Sequence, residues 1–109
     1  MLDLNGFKKI NDVHGHVAGD NLLQKFATEM KADFRSTDVV GRWGGDEFIV
    51  IIDSTLAEAQ ASLDRVRKWA FGEYMIETGK GTVQVPIRAS IGVSAWDKSE
   101  TMVELLARA

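Results

Sequence analysis

Arg42-Trp43-Gly44-Gly45-Asp46-Glu47-Phe48-Ile49-Val50-Ile51-Ile52 is the stretch that decides how this chain folds. Asp38 to Trp43 has strand character, Gly44-Gly45 reads as a tight hairpin turn, and Glu47 to Ile52 reads as a second strand. Phe48 to Ile52 is apolar on both faces, which predicts a central strand in a covered sheet. The two glycines permit positive φ and let the backbone approach a ligand with no Cβ in the way. Asp46 and Glu47 follow the turn directly. Strand side chains alternate, so the two acids point in different directions and have different jobs.

Toward the N-terminus, Met1 to Leu4 reads as the end of a strand and Asn5-Gly6 as a turn, followed by a short helix from about Phe7 to Val13. Gly15-His16-Val17-Ala18-Gly19 is expected to break the chain. From Asp20 onward, Leu22, Leu23, Phe26, Ala27, Met30 and Phe34 recur at helical spacing and form one apolar face.

Toward the C-terminus, Thr55 and Glu58 form a capping box for a helix whose stripe runs through Leu56, Ala59, Leu63, Val66 and Ala70. Met75 to Val85 reads as a hairpin around Gly79-Lys80-Gly81, and Pro86 marks an edge or a strand break. Ile87 to Ser94 is a further strand, with Ala89, Ile91 and Val93 alternating against Arg88, Ser90 and Ser94. Thr101 and Glu104 cap a last helix. Strands and helices in this order give an α/β (α+β) fold, a central mostly antiparallel sheet flanked by helices.

Composition narrows the function classes. A chain of 109 residues, 45% of them hydrophobic, makes one modest core, and no repeat or linker divides it. The net charge of -3 argues against broad capture of DNA or RNA. Residues 1–54 hold nine acids and six bases, so the whole surplus lies in the first half, where it suits a bound cation. There is no cysteine, which excludes disulfides, thiolate metal sites and cysteine nucleophiles. No apolar run reaches transmembrane length, and the expected location is the cytoplasm. The two histidines, His14 and His16, are too few to argue for a zinc site.

If the strand carrying Asp3 lies beside the Gly44-Gly45 hairpin, Asp3 and Asp46 can converge on one cation. Hard oxygen ligands supplied by few protein groups suit magnesium held jointly with substrate phosphates. Lys8 would offer a compact positive charge, and the turn amides around Gly6 and Phe7 could cradle phosphate oxygens. Gly79-Lys80-Gly81-Thr82 lacks the spacing of a phosphate-binding loop. Among the tryptophans, Trp69 falls near the apolar stripe of its helix, and core packing is its expected role.

Taken together, Asp3, Phe7-Lys8, Asn11-Asp12, Gly15-His16, Gly19-Asp20, the Arg42 to Phe48 segment and Ser90-Ile91-Gly92-Val93 closely resemble the GGDEF family of diguanylate cyclases. The resemblance implies a ferredoxin-like core related to nucleotide cyclases. It also implies condensation of two GTP into cyclic di-GMP with release of two pyrophosphates, by a homodimer whose two domains each hold one GTP. On that resemblance Asp3, the Leu4 main-chain oxygen and Asp46 hold Mg2+ (or Mn2+), while Asp46 and Glu47 are candidates for activating the attacking hydroxyl. Lys8 steadies charge on the phosphates. Asn11 and Asp20 read guanine, with His16 near the same pocket, and Gly6, Phe7, Gly44 and Gly45 lie against the substrate.

Arg35-Ser36-Thr37-Asp38 resembles the family's product-inhibition site, completed by Arg65 across the dimer. On local preferences alone, the same residues read as a helix-terminal arginine beside a turn aspartate, and Arg65 as a solvent-facing arginine. The alternative to an enzyme is a weak or inactive regulatory domain that binds cyclic di-GMP through Arg35 and Asp38. The family's domain usually starts earlier and continues past Ala109, so residues 1–109 are expected to be a single domain lacking its usual N-terminal and C-terminal helices. The parent would add a sensor or receiver domain and could be membrane-tethered.

Overall fold

The computed structural model describes residues 1–108. In chain order the elements are β1 (Leu2–Leu4), α1 (Phe7–His14), α2 (His16–Ala32), β2 (Val39–Arg42), β3 (Glu47–Ile51), α3 (Leu56–Trp69), β4 (Gly72–Thr78), β5 (Gly81–Ile87), β6 (Ala89–Ile91) and α4 (Met102–Arg108). Four strands form one sheet in the order β2-β3-β1-β6, and β4 pairs with β5 in a separate hairpin. Every pairing is antiparallel. The fold is thus α+β, an antiparallel sheet flanked by helices. Among the described residues no helix is long and apolar enough to cross a membrane.

One face of the sheet builds the core. Leu2 and Leu4 of β1 and Phe48 of β3 are buried against Leu22, Phe26 and Met30 of α2, with Val66 of α3, Ala70 just after it, and Ile76, Val85 and Ile87 from the hairpin. Phe26 is the hub. Its ring lies 5.5 Å from Phe48 in an edge-on arrangement and 6.4 Å from both Phe71 and Tyr74. Truncating such a ring to alanine typically costs about 3–5 kcal/mol. Alternation along β1 and β3 sends Asp3, Glu47, Ile49 and Ile51 to the opposite face.

The capping boxes act as their sequences suggest. Thr55 Oγ1 accepts from the Glu58 amide at 3.2 Å. At α4 the box is reciprocal: Thr101 Oγ1 accepts from the Glu104 amide at 3.2 Å, and Glu104 Oε2 accepts from the Thr101 amide at 3.3 Å.

Several expectations fail, each for a local reason. The segment Gly15 to Gly19 does not break the chain: α2 already starts at His16, and only Gly15, at φ 91°, stands between the two helices. Gly44 and Gly45 do not use positive φ, and the turn is a four-residue loop over residues 43–46 rather than a tight two-residue one. The outer face of β3 is not covered at its far end, where Ile51 is 51% exposed opposite the exposed Val39. Ile87 belongs to β5, because the chain bends at Arg88 before β6, and Val93 lies beyond that strand. Trp69 is not a core residue. It ends α3, 63% exposed, with the Lys68 ammonium 5.1 Å from its ring centre. Leu56, at the other end of the same helix, is also exposed.

Candidate active site

The short central strand β1 brings the separated acids together. Asp3 stands directly opposite Glu47 and beside Ser90, so all three side chains share the outer face of the sheet. One step further, the Leu4 amide donates to the Asp46 carbonyl at 2.9 Å. That bond makes Asp3 and Glu47 a non-hydrogen-bonded pair, the type in which Cα atoms approach to about 4.5 Å. Two like charges directly opposed across strands repel. Among the described residues neither acid has a cationic partner. A shallow cavity of about 350 Å³ opens at this place, lined by Asp3, Glu47 and Ser90 together with Met1, Leu2, Ile91 and Gly92.

These residues fit a divalent cation bound with a phosphate ligand. Leu4 gives its amide to Asp46, but the return bond from the Asp46 amide to the Leu4 carbonyl is not formed, which leaves an acceptor free at the strand end. Among the described residues no three acidic or imidazole groups converge to hold a metal alone. Two carboxylates and a carbonyl suit magnesium, which keeps much of its shell for water and substrate oxygens.

The loop over residues 43–46 is held by an arginine to which the sequence assigned no role. Arg42 Nε donates to the Gly44 carbonyl at 3.0 Å and the Gly45 carbonyl at 3.1 Å, and Arg42 Nη2 donates to the Gly45 carbonyl at 2.8 Å. The guanidinium thereby gathers the loop carbonyls on one side. A Cβ built on Gly45 would meet nothing within 4 Å, so the space against this backbone is open. The glycines serve access rather than a special dihedral. An arginine two residues before the Gly-Gly pair is the sequence signal that could have pointed to this clamp.

The β1–α1 turn lies next to the same strand end. Gly6 caps α1 in the left-handed region (φ 73°, ψ 14°) with no side chain bonded to the first-turn amides. Lys8 is exposed on that first turn, while Phe7 is buried and anchors it. Asn5 fixes the turn from the other side, its amide donating to the Arg88 carbonyl at 2.9 Å and its Oδ1 accepting from the Ser90 hydroxyl at 3.1 Å. Further along, Asn11 of α1 packs against Gly19 of α2, the neighbour of exposed Asp20. The two candidate base-reading residues thus flank one helix–helix seam. His16 is exposed in the first turn of α2.

Arg35, Asp38 and Arg65 lie at the opposite end of the β2–β3 pair. The Asp38 side chain is 1% exposed and its oxygens accept from two amides, Arg35 at 3.0 Å and Asp53 at 3.3 Å. Arg35 is 59% exposed, its Nε 3.8 Å from Asp38 and its Nη2 3.3 Å from the Asp53 carbonyl. Arg65 Nη2 donates to Ser62 Oγ at 3.0 Å and to the Asp33 carbonyl at 3.4 Å, two residues before Arg35. Burial raises the Asp33 carboxyl above its usual range, with the Arg65 charge opposing the shift and Glu29 reinforcing it. Burial, reinforced by Glu29 and Asp33, pushes the Tyr74 hydroxyl up to about 12.

An antiparallel sheet with paired acids at a central strand end, a lysine-bearing helix start beside them and an open Gly-Gly loop form an arrangement that would suit a cation and a phosphate ligand. The sequence matches the family described as diguanylate cyclase, GGDEF domain, over residues 1–109, and the chain belongs to that family. It is 39% identical over 112 residues to the response regulator PleD of Caulobacter vibrioides, covering 100% of this chain and 24% of that protein. It is also 39% identical over 98 residues to diguanylate cyclase A of Treponema denticola, covering 89% and 26% respectively. The crystal structure of diguanylate cyclase SiaD in complex with its activator SiaC from Pseudomonas aeruginosa matches at a TM-score of 0.87 and 35% identity, over 99% of this chain and 41% of that one. The chain spans about a quarter of the length of these two curated relatives.

Proposed function

We propose that this domain is the catalytic unit of a diguanylate cyclase, which joins two GTP molecules into cyclic di-GMP and releases two pyrophosphates. The observation that carries the reading is the register of β1 on β3, which opposes Asp3 to Glu47 and sets Leu4 against Asp46.

Asp3, the Leu4 carbonyl and Asp46 would hold magnesium or manganese. The bound cation supplies charge neutralisation at the phosphates and acidifies the attacking hydroxyl. Asp46 or Glu47 accepts the proton from the 3′-hydroxyl as it attacks the α-phosphate of the second GTP. Lys8 donates to phosphate oxygens as negative charge gathers on the leaving pyrophosphate. The first-turn amides beyond Gly6 and Phe7, and the open backbone at Gly44 and Gly45, take the remaining phosphate oxygens. Asn11 and Asp20 select the base. Guanine offers the N1–H and N2–H2 donors that the Asp20 carboxylate can accept, and adenine lacks that pair.

Each domain holds a single GTP, so the reaction needs a homodimer with two sites face to face. Arg35 is the exposed arm of a product-binding site, with Arg65 of the other subunit as its complement. Asp38 acts there chiefly by holding the turn, because its oxygens are already engaged by backbone amides. The relatives' greater length fits a parent protein in which a sensor or receiver module governs this pairing.

The test is incubation of the folded protein with GTP and magnesium, followed by separation of the nucleotide products. Cyclic di-GMP and pyrophosphate in a 1:2 ratio are expected, with none when magnesium is chelated. A dimeric, folded protein that leaves GTP unchanged would overturn the reading.

A further inference from the structure

Gly19 packs in an unusual way for a helical glycine. It sits inside α2, fully enclosed, and a Cβ built on it would fall 1.8 Å from Asn11 Oδ1, 2.9 Å from Asn11 Cγ and 3.3 Å from Phe7 Cζ. The atom it would strike first is the tip of a side chain rather than backbone. A methyl group there would drive Asn11 out of its seat and require the Phe7 ring to give by a few tenths of an ångström. Glycine costs about 1 kcal/mol of helix propensity relative to alanine, and α1 and α2 approach here closely enough to explain why that cost is borne.

The orientation of Asn11 adds a second observation. Its Oδ1 is buried and has no hydrogen-bond partner among the described residues, an uncommon state for a side-chain oxygen. With the carbonyl arm turned into the seam against Gly19, the arm that faces out of the seam is the NH2 group. A carboxamide carries one acceptor and two donors on opposite arms, so seating the acceptor leaves a donor. Asp20, the next residue along, is exposed and supplies an acceptor.

We infer that Gly19 is a specificity-determining position: its missing side chain seats the Asn11 carbonyl arm and turns the Asn11 amide outward as a hydrogen-bond donor. This inference rests on the proposed GTP reading of the site. Donor and acceptor together match a guanine edge, which pairs the O6 or N3 acceptor with the N1–H and N2–H2 donors. Gly19 touches no nucleotide in this scheme. It is a positioning residue acting through Asn11.

The experiment measures GTP, ITP and ATP binding, with magnesium present, for the wild type, Gly19→Ala, Asn11→Ala, the double variant and Asn11→Asp. Gly19→Ala is expected to weaken GTP binding about tenfold, the scale of one lost hydrogen bond to a ligand, and to narrow the preference for GTP over ATP. The double variant should bind no more weakly than Asn11→Ala alone, since both changes remove one interaction. Multiplying losses would show that Gly19 acts on its own account and would sink the inference, as would unchanged GTP affinity in Gly19→Ala. Asn11→Asp decides the matter even if Gly19→Ala folds poorly. It replaces the donor arm by oxygen and should lose as much affinity as Asn11→Ala, whereas retained affinity would mean that an acceptor faces the base. A wild type that binds none of the three nucleotides would instead overturn the functional reading itself.

Discussion

The two ends of the β2–β3 pair carry the same kinds of residue and use them in opposite ways. At the Gly44-Gly45 end, Asp3 and Glu47 are opposed across the strands with no cation beside them among the described residues, and Asp46 stands next to a free carbonyl. At the other end, Asp38 has its oxygens bonded to the Arg35 and Asp53 amides and an arginine close by. An acid whose bonds are satisfied within the chain supports the fold. Acids placed face to face without partners weaken the fold slightly and are explained by what they bind. On the proposed function the same strand pair has a structural end and a reactive end, and substitutions should separate them.

The largest effect expected is on chemistry. Asp46→Asn should lower cyclic di-GMP formation by about a thousandfold, the upper range for deleting one charge-stabilising group, with the melting temperature unchanged or slightly raised. Product analysis beside a thermal melt checks both halves, and a clear loss of stability would place Asp46 with Asp38 instead. Asp38→Ala should do the reverse. Two amides lose the buried carboxylate that accepts from them, at about 1 kcal/mol for each bond, which together lower Tm by about 10 °C for a domain of this size. Arg35→Ala comes next. It should abolish restraint by added cyclic di-GMP while moving stability by less than about 0.5 kcal/mol, because its bonds are exposed. Undiminished product inhibition would move product binding to the reactive end.

The smallest effect is a pH dependence away from both ends. Tyr74 is pushed up to about 12 by burial, then by Glu29 and Asp33, and its hydroxyl donates to the Ala70 carbonyl at 2.5 Å. The folded state therefore holds the phenolic proton more tightly than the unfolded chain does. Its contribution to stability is complete below about pH 10 and lost as pH rises toward about 12. Tyr74 is the only tyrosine, so tyrosinate absorbance follows this one group. Tyr74→Phe should flatten the alkaline slope of stability, and an equal slope in both proteins would contradict the assignment.

Much of the fold was legible because its signals are local. The apolar spacing of Leu22, Leu23, Phe26 and Met30, the two threonine caps and the strand–turn–strand reading around Gly44-Gly45 all act within a few residues. Gly19 was misread as a breaker because a glycine needed for close helix approach looks the same in sequence as one needed for a turn. Trp69 was misread because helical spacing places it on the stripe, while the helix end leaves that position without a neighbour above it. The acids of the site were readable as a set, but their pairing was not. The opposition of Asp3 to Glu47 depends on β1 entering between β3 and β6, where the partners of Asp3, Glu47 and Ser90, lie 44 and 87 residues further along the chain. The Arg42 clamp was invisible for a similar reason, since its meaning lies in carbonyls that no side chain reports.

Gly15 joins α1 to α2 by itself, closing one helix and opening the next at φ 91°. Asn11 and Asp20 thus stand on the two arms of a wedge with a single-residue vertex, while Asp3 stands on β1, joined to α1 through the Asn5-Gly6 turn. A small change of angle at that vertex would swing Asp20 against Asn11, while Lys8, on the same helix as Asn11, would keep its place beside the strand end. On the proposed function, affinity for the base and turnover at the phosphates could consequently drift apart under selection, each tuned by largely different residues.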